Sequence, residues 1–543
     1  MTGVFRQLAR SPRSGGSQLI ALLAAVACIF IQPYRLVCAG ETPAFEIRSF
    51  LVEGNTVLPD KTVQEVLRDF LGARKTEADV NDARDALEKY YHKTGYPAVL
   101  VNLPQQTVEE GVIRLEVIES KIGEVRVTGN RYYTKEKILR DLPSLSPGKI
   151  LYVPMVQKDL EKANRSGDLR ISPTLTPGKE LGTTNVEIKT EDRLPLHGAL
   201  ELNNGGTHDT TDLRLNAMLR YDNLWQRDHS LSVQFQTSPR DSSEVKMYAF
   251  SYQLPAPWMS DHQLALYGIK SDSNTTTFGQ DMLVSGKGYI LGARYVLPLT
   301  PYKSYYHNVT LGVDYKDFDE TVGLAGSGSE ADIKTPISYM PLSLAYNVSL
   351  PDSSGMTRFS GGLNLSFRGI VAEDRQFDMK RAYARGNYLY FTAGMEREQK
   401  LPAGINLFLK LDGQIADQPL ISNEQYTAGG MASVRGYREA EATGDNALHG
   451  TAEVAAPDIF SLMNAWKKVR LIPYAFYDYA WLKTIDSLDG ERATNCLQGV
   501  GAGIRGMVCG MVHYDLALAF PLVHTEKTEK YERQWHFKIG IRF

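Results

Sequence analysis

The residues best suited to chemistry in this chain are an arginine, an aspartate and three glycines. Arg435 lies in the run Val434-Arg435-Gly436-Tyr437. Ser433 and Gly436 suit tight turns on either side of it. A guanidinium can pair with a carboxylate through two parallel N–H···O bonds, and Asp478 is the carboxylate whose surroundings fit. Around Asp478 the sequence alternates: Tyr477, Tyr479 and Trp481 share one face, and Tyr474, Phe476 and Asp478 share the other. The aromatic trio suits a membrane interface, which turns Asp478 inward. Gly499, Gly501 and Gly503 recur at every second position of the next strand. They leave a wall without side chains, against which another piece of chain can lie closely. The chemistry implied is a shielded ion pair that holds a loop, and its role is conformational.

Catalytic chemistry finds no support. Gly501 to Gly506 matches the dinucleotide fingerprint G-x-G-x-x-G, but a strand follows it where that site needs a helix. There is no nucleophile elbow, no His-Glu-x-x-His and no P-loop. No Cys/His cluster has metal spacing, so no metal, cofactor or direct use of ATP is expected. Cys496 and Cys509 fall at opposite ends of one strand, 497–507. At roughly 3.3 Å per residue they are beyond disulfide reach.

The elements that must position Arg435 are strands. It sits between alternating segments at 405–414 and 449–455, in a connection of about thirty residues, long for a hairpin. From about Leu196 onward the chain reads as short alternating strands. The last is clearest: Trp535, Phe537, Ile539, Ile541 and Phe543 alternate with Gln534, His536, Lys538, Gly540 and Arg542, one apolar face and one polar. Short turns follow Leu254-Pro255, Leu297-Pro298, Leu350-Pro351 and Leu401-Pro402. Longer polar connections fall at 271–286, 319–332 and 369–385. Short turns on one rim and long loops on the other suit a transmembrane barrel, and the segments number about sixteen. A soluble sandwich shares the alternation but not that asymmetry.

The start of the chain agrees. Arg6, Arg10 and Arg13 precede an apolar stretch at 19–31, and Val37-Cys38-Ala39 offers a small-residue cleavage site, so residues 1–39 read as a signal peptide. Beyond Gly40 no apolar run approaches a transmembrane helix, and in lipid only a closed barrel then satisfies the backbone. The chain has 543 residues, 43% hydrophobic and 23% charged, with 29 tyrosines against 19 phenylalanines. This is a folded composition. A net charge of −3 gives no argument for nucleic-acid binding.

Between signal and barrel lies a repeat. Val52-Glu53-Gly54-Asn55 returns as Val127-Thr128-Gly129-Asn130, 75 residues later. Each copy reads β-α-α-β-β. The first has strands at 45–52, 98–103 and 112–118, and helices at 59–70 and 78–92. The second has strands at 122–127, 171–175 and 184–190, and helices at 134–142 and 153–165.

This order, with Gly95-Tyr96-Pro97 after the second helix, resembles a POTRA domain of two-partner-secretion transporters, the TpsB or haemolysin secretion/activation family. Val434-Arg435-Gly436-Tyr437 is similar to the loop-six motif of the wider superfamily. Phe476-Tyr477-Asp478 resembles its partner motif Phe-x-Asp-x-Gly, with Ala480 at the last position. The resemblance covers residues 45–543. It implies an all-β transmembrane barrel of 16 antiparallel strands behind two small α+β modules, at 45–120 and 121–193. The barrel spans 196–543, with an inward-folding loop at 415–447 whose Arg435 locks to Asp478. Phe543 then resembles the signal by which outer-membrane barrels are assembled. The implied partners are an unfolded exoprotein received in the periplasm, outer-membrane lipid and the barrel-assembly machinery; the implied state is a monomer. Family members often carry an N-terminal helix that plugs the pore. Only residues 40–44 separate the cleavage site from the first module, so the loop is expected to be the main obstruction. A barrel-insertion factor, a passive porin and an outer-membrane hydrolase are the alternatives. Fewer modules than usual, the repeat itself and the missing catalytic cluster argue against them in turn.

Overall fold

The computed structural model describes residues 44–543 apart from 181, 279–281, 303, 320, 323–332, 368, 372, 464, 465 and 467. The expected signal peptide at 1–39, with its cleavage site, lies outside the described residues, as does most of the connection expected at 319–332. Among the described residues no helix is long and apolar enough to cross a membrane.

Each copy of the repeat builds a three-stranded sheet. In the first, Val112–Glu119 lies between Ser49–Glu53, parallel to it, and Val99–Asn102, antiparallel. In the second, Thr183–Asp192 lies between Lys121–Thr128, parallel, and Leu169–Pro177. The repeated Gly-Asn pair has a physical cause. Gly54 and Gly129 take φ of +82° and +85°, and a Cβ on either would overlap a strand carbonyl, that of Val117 or Thr190. The asparagine then bridges its own turn: Asn55 donates to the Leu58 carbonyl at 2.9 Å and Asn130 to that of Tyr133 at 2.8 Å. Glu119 and Asp192 complete the match by accepting backbone N–H groups of the same turns, from Thr56 at 2.6 Å and Tyr132 at 2.6 Å. The helix Glu77–Lys93 buries Val80, Ala83, Leu87 and Tyr91 at the spacing of one face.

One strand escaped the sequence pattern. The expected strand at 45–52 divides at Arg48: Ser49–Glu53 joins the main sheet, whereas Phe45–Ile47 pairs with Gly72–Lys75, which had no alternation to mark it. Two compact units make up the chain. Segments Gly129–Arg140 and Arg165–Arg170 of the second module belong to the unit of Thr190–Phe543.

In that unit, strands from Leu196–Asn203 to Gln534–Arg542 form a closed antiparallel barrel. Ile337–Tyr339 and Leu342–Asp352 both pair with Tyr306–Phe318 and form one strand interrupted at Pro341, which makes sixteen among the described residues. Lys538 to Arg542 pair with Asn203 to Ala199 and close the ring. Phe543 extends that ladder, donating to the Gly198 carbonyl at 3.1 Å, and a Cβ on Gly198 would overlap its ring. Large apolar side chains such as Leu219, Phe250, Leu291, Leu411 and Trp535 are exposed along the outer wall. These are the residues a lipid bilayer covers.

The outer connections differ from their polar reading. Residues 271–286 were expected as a loop, yet Met259–Phe278 and Met282–Pro298 stay paired as far as Phe278 and Met282. Ser, Asn and Thr read as loop by composition but keep a ladder once a neighbouring strand supplies partners. The connection at 369–385 carries a helix, Asp374–Lys380, that buries Phe377.

Candidate functional site

The strand Asn406–Ala416 runs to the outer rim, Asn446–Ala455 runs back, and residues 417–445 fold between them into the lumen. A small hairpin of Tyr426–Ala428 with Ala442–Gly444 narrows the base of this loop. Gly429, Gly430 and Gly436 take φ of +115°, +96° and +103°, so the tip turns where L side chains would be strained. The Ser433 hydroxyl accepts the Gly429 N–H at 2.8 Å.

These turns deliver Arg435 to the wall. Its Nε donates to Asp478 Oδ2 at 2.7 Å and its Nη2 to Asp478 Oδ1 at 2.9 Å, a bidentate fork. Its backbone N–H also donates to Asp478 Oδ2, at 3.1 Å. Its Nη1 donates to Glu453 Oε2 at 2.8 Å, and Arg505 meets the other oxygen of Glu453 at 2.6 Å. Arg435 is 7% exposed and Asp478 0%. Two cations and two carboxylates therefore balance, with Arg435, Asp478 and Glu453 buried and Arg505 partly exposed; pairing is the condition under which buried charges are tolerated. The guanidinium carbon stands 3.4 Å from the centre of the Phe476 ring, a stacked cation–π contact.

The three glycines do different jobs. A Cβ on Gly499 would overlap the Arg435 carbonyl, so this position admits the loop backbone. A Cβ on Gly501 would lie 2.5 Å from Phe476 Cζ, and one on Gly503 2.5 Å from Tyr474 Cζ. Those two make room for the rings beneath the guanidinium. Only Gly499 meets the expectation of a bare wall for the loop. Gly436 lies on the adjacent strand, Val512–Pro521, and its N–H donates to His536 Nε2 at 3.0 Å. His536 is thus neutral there, with its proton on Nδ1. Val434 and Tyr437 are fully buried with Ala447, Ala480, Leu482 and Leu497. The Tyr437 hydroxyl donates to the Val523 carbonyl at 2.7 Å.

Residues 182–506 match the family described as haemolysin secretion/activation protein ShlB/FhaC/HecB. The chain belongs to this family. Residues 45–120 match the POTRA domain of ShlB type. The outer membrane transporter CdiB of Dickeya dadantii is 22% identical over 77% of this chain and 73% of its own length. The heme/hemopexin transporter protein HuxB of Haemophilus influenzae is 20% identical over 84% of this chain and 80% of its own. The solved structure of CdiB from Escherichia coli has the same fold, with a TM-score of 0.66 at 18% identity over 93% of this chain and 92% of that one. The barrel sits in the outer membrane and its POTRA modules in the periplasm, and members of the family are transporters.

This member of the haemolysin secretion/activation family holds its loop at two further points. Glu424, 6% exposed, accepts from Lys316 at 2.5 Å, Tyr339 at 2.6 Å and Tyr390 at 2.9 Å. Asp445, 0% exposed, accepts from both Arg381 Nη groups, the Leu420 and Ile485 N–H groups and Gln425. Around them Phe377, Tyr388, Leu420 and Ile421 join one apolar cluster with the wall. The loops at 369–385 and 417–445 thus pack together against the outer part of the wall. On the side of the short turns a cavity of about 1270 Å3 remains open, its wall including Arg435, Glu453, Arg505 and Lys538.

Sequence reading found Arg435 and Asp478 but missed Glu453, Arg505, His536 and both outer anchors. Parity could have found two of them. Glu453 pairs in register with Phe476, and Arg505 continues the inward series of Gly499, Gly501 and Gly503. Cys496 and Cys509 are free and stand at the two ends of Thr494–Val508. One possible ligand group exists among the described residues, Asp168, His197 and Asp222, with donor atoms within 4.8 Å of one another. Asp168 is already paired with Arg193 at 2.6 Å and Asp222 with Arg220 at 3.1 Å. The group is therefore a charge-balanced ion cluster.

Proposed function

We propose that this protein receives an unfolded, TpsA-like exoprotein in the periplasm and passes it outward through the barrel lumen without ATP, with the loop at 417–445 as the obstruction that must move. The observation that carries this reading is the seat of Arg435. A loop ending in a largely buried ion network, above an open cavity, is a removable closure and not a filled core. The outer strands Ser49–Glu53 and Val99–Asn102 of the first sheet support client binding. An extended chain can add to such an edge through main-chain hydrogen bonds without an exact side-chain match. Leu51 and Leu100, on those edge strands, are exposed and would meet its apolar residues. Outward folding of the client supplies the directional bias.

The protein acts as a monomer in outer-membrane lipid in this reading. Phe543 serves the barrel-assembly machinery as a recognition end, and its removal should lower the amount of heat-modifiable barrel in outer-membrane fractions. The principal test is secretion in a reconstituted host. Full chain plus cognate exoprotein should place the exoprotein in the medium, and deletion of residues 45–193 should abolish this while leaving the barrel in the membrane. A second reading, a barrel-insertion factor, draws on the likeness to BamA from Haemophilus ducreyi, with a TM-score of 0.52 at 14% identity over 92% of this chain and the whole of that one. Restored insertion of other barrels, without exoprotein export, would favour it. Small-solute leakage alone would indicate a porin.

A further inference from the structure

The turns on the periplasmic rim of the barrel are mostly short, but the connection between Asn446–Ala455 and Val469–Lys483 is longer, and its described residues have features of their own. Asp458 caps a single helical turn, Ile459–Leu462. Its Oδ1 accepts the Phe460 N–H at 3.2 Å and the Leu471 N–H at 3.0 Å, which ties the turn to the start of the strand Val469–Lys483. Beyond the cap stand three large apolar side chains: Leu462 is 70% exposed, Met463 69% and Trp466 71%. Phe460 stacks on Trp466, ring centres 5.3 Å apart and planes 15° apart, which holds the indole in place.

The direction of this surface follows from its neighbours. Ala455, Arg470 and Ile472 on the flanking strands line the lumen cavity, whereas none of the described residues of the turn does. Val454, of opposite parity, is 48% exposed on the outer wall and belongs to the lipid-covered band. The turn continues that band past the ends of its strands. Trp258 at 67% and Tyr302 at 63% exposure stand on other turns of the same rim, as in an interfacial aromatic belt. Exposed Lys468 lies two residues after Trp466, placed as lysine is where a cation reaches headgroup phosphates from an apolar stem.

We propose that the described residues of this turn form a membrane foot: Leu462, Met463 and Trp466 enter the phospholipid leaflet that faces the periplasm, and Lys468 meets its phosphates. A single helical turn with a tryptophan and a flanking lysine has the chemistry of an interfacial anchor rather than of a spanning element. The foot would fix the depth of the barrel beside strands that carry the loop seat, Asn446–Ala455 and Val469–Lys483. The proposal rests on the outer-membrane placement and not on the export reading, so it can fail while export stands.

The test uses the full chain in phospholipid nanodiscs. Trp225→Phe, Trp258→Phe, Trp481→Phe and Trp535→Phe together leave Trp466 as the only indole. Lipids brominated near the headgroup end of the chain should quench its emission at least twofold more than lipids brominated near the chain terminus. Aqueous iodide should quench it several-fold less than free tryptophan. Full iodide quenching without bromolipid quenching would overturn the proposal, as would protection that appears only when a protein partner is added. Should the quadruple variant not form a heat-modifiable barrel, Met463→Cys with Cys496→Ser and Cys509→Ser carries a polarity-sensitive dye to the same place. A blue-shifted emission in nanodiscs supports the foot, and a water-like emission overturns it.

Discussion

Replacing Gly499 by alanine adds one methyl group, no charge and no polar atom, yet it should unseat the loop. The new Cβ would overlap the carbonyl oxygen of Arg435. A carbon needs roughly 3.3–3.6 Å from such an oxygen, so the loop backbone must retreat by roughly 1.5 Å. The bonds from Arg435 to Asp478, at 2.7 and 2.9 Å, then lengthen beyond hydrogen-bonding range. Partly breaking a buried, charge-assisted pair costs about 3–5 kcal/mol. At about 1.4 kcal/mol per decade, the ratio of seated to unseated loop falls by two to three orders of magnitude. In planar bilayers the purified variant should show frequent large-conductance openings, and in cells its export of the exoprotein should drop. Gly361→Ala is the control, because a Cβ there lies 3.9 Å from Phe391 in ordinary contact. A folded Gly499→Ala barrel with the conductance and secretion of the unmodified protein would refute the reasoning, since no smaller perturbation tests the seat more directly.

Three other outcomes are expected. Arg435→Ala and Asp478→Ala should each impair loop placement and secretion. The double variant should be no worse than either single one, because leaving one charge buried and alone is the main cost; a double-mutant cycle in conductance checks this, and near-additive losses would count against a shared ion pair. Asp445→Asn or Arg381→Ala should loosen the outer closure and expose 417–445 to protease added to intact cells, with Arg435 still seated; unchanged protection would count against an independent outer anchor. In the first module, the backbone N–H and hydroxyl of Thr76 hold the Asp79 carboxyl below its ordinary range. That contribution is present at neutral pH and is lost as pH falls below the unfolded value near 3.8. Protection factors in Glu77–Lys93, taken against the intrinsic exchange rate at each pH, should therefore fall in acid, and Asp79→Asn should remove most of that fall.

Much of this architecture was legible because its physics is local. A period of two with one apolar face marks a half-buried strand whatever its partners, and it placed Asp478 and the three glycines on the inner wall. The Gly-Asn pair marked both modules because only glycine takes the backbone angle that clears a strand carbonyl. What stayed hidden depends on partners far away in sequence. Asp445 looks like any loop aspartate until Arg381, Leu420 and Ile485 converge on it. Glu424 shows nothing of Lys316 or Tyr339. The strand ends up to Phe278 and from Met282 have the composition of a loop, and only the neighbouring ladder makes them strands. Gly72–Lys75 is a strand because Phe45–Ile47 needs a partner, not because of its own residues.

The three anchors of the long loop reach different parts of the circle: Lys316, Tyr339 and Tyr390 through Glu424; Arg381 and Ile485 through Asp445; Asp478, Glu453 and His536 at the tip. The loop is therefore a set of spokes as well as a stopper. A closed sheet resists stretching along its hydrogen bonds but bends easily, so internal ties are what keep its outline round. When the spokes let go, the rim is free to flatten into an ellipse. The number of strands then sets the circumference, while the ties set the outline it encloses.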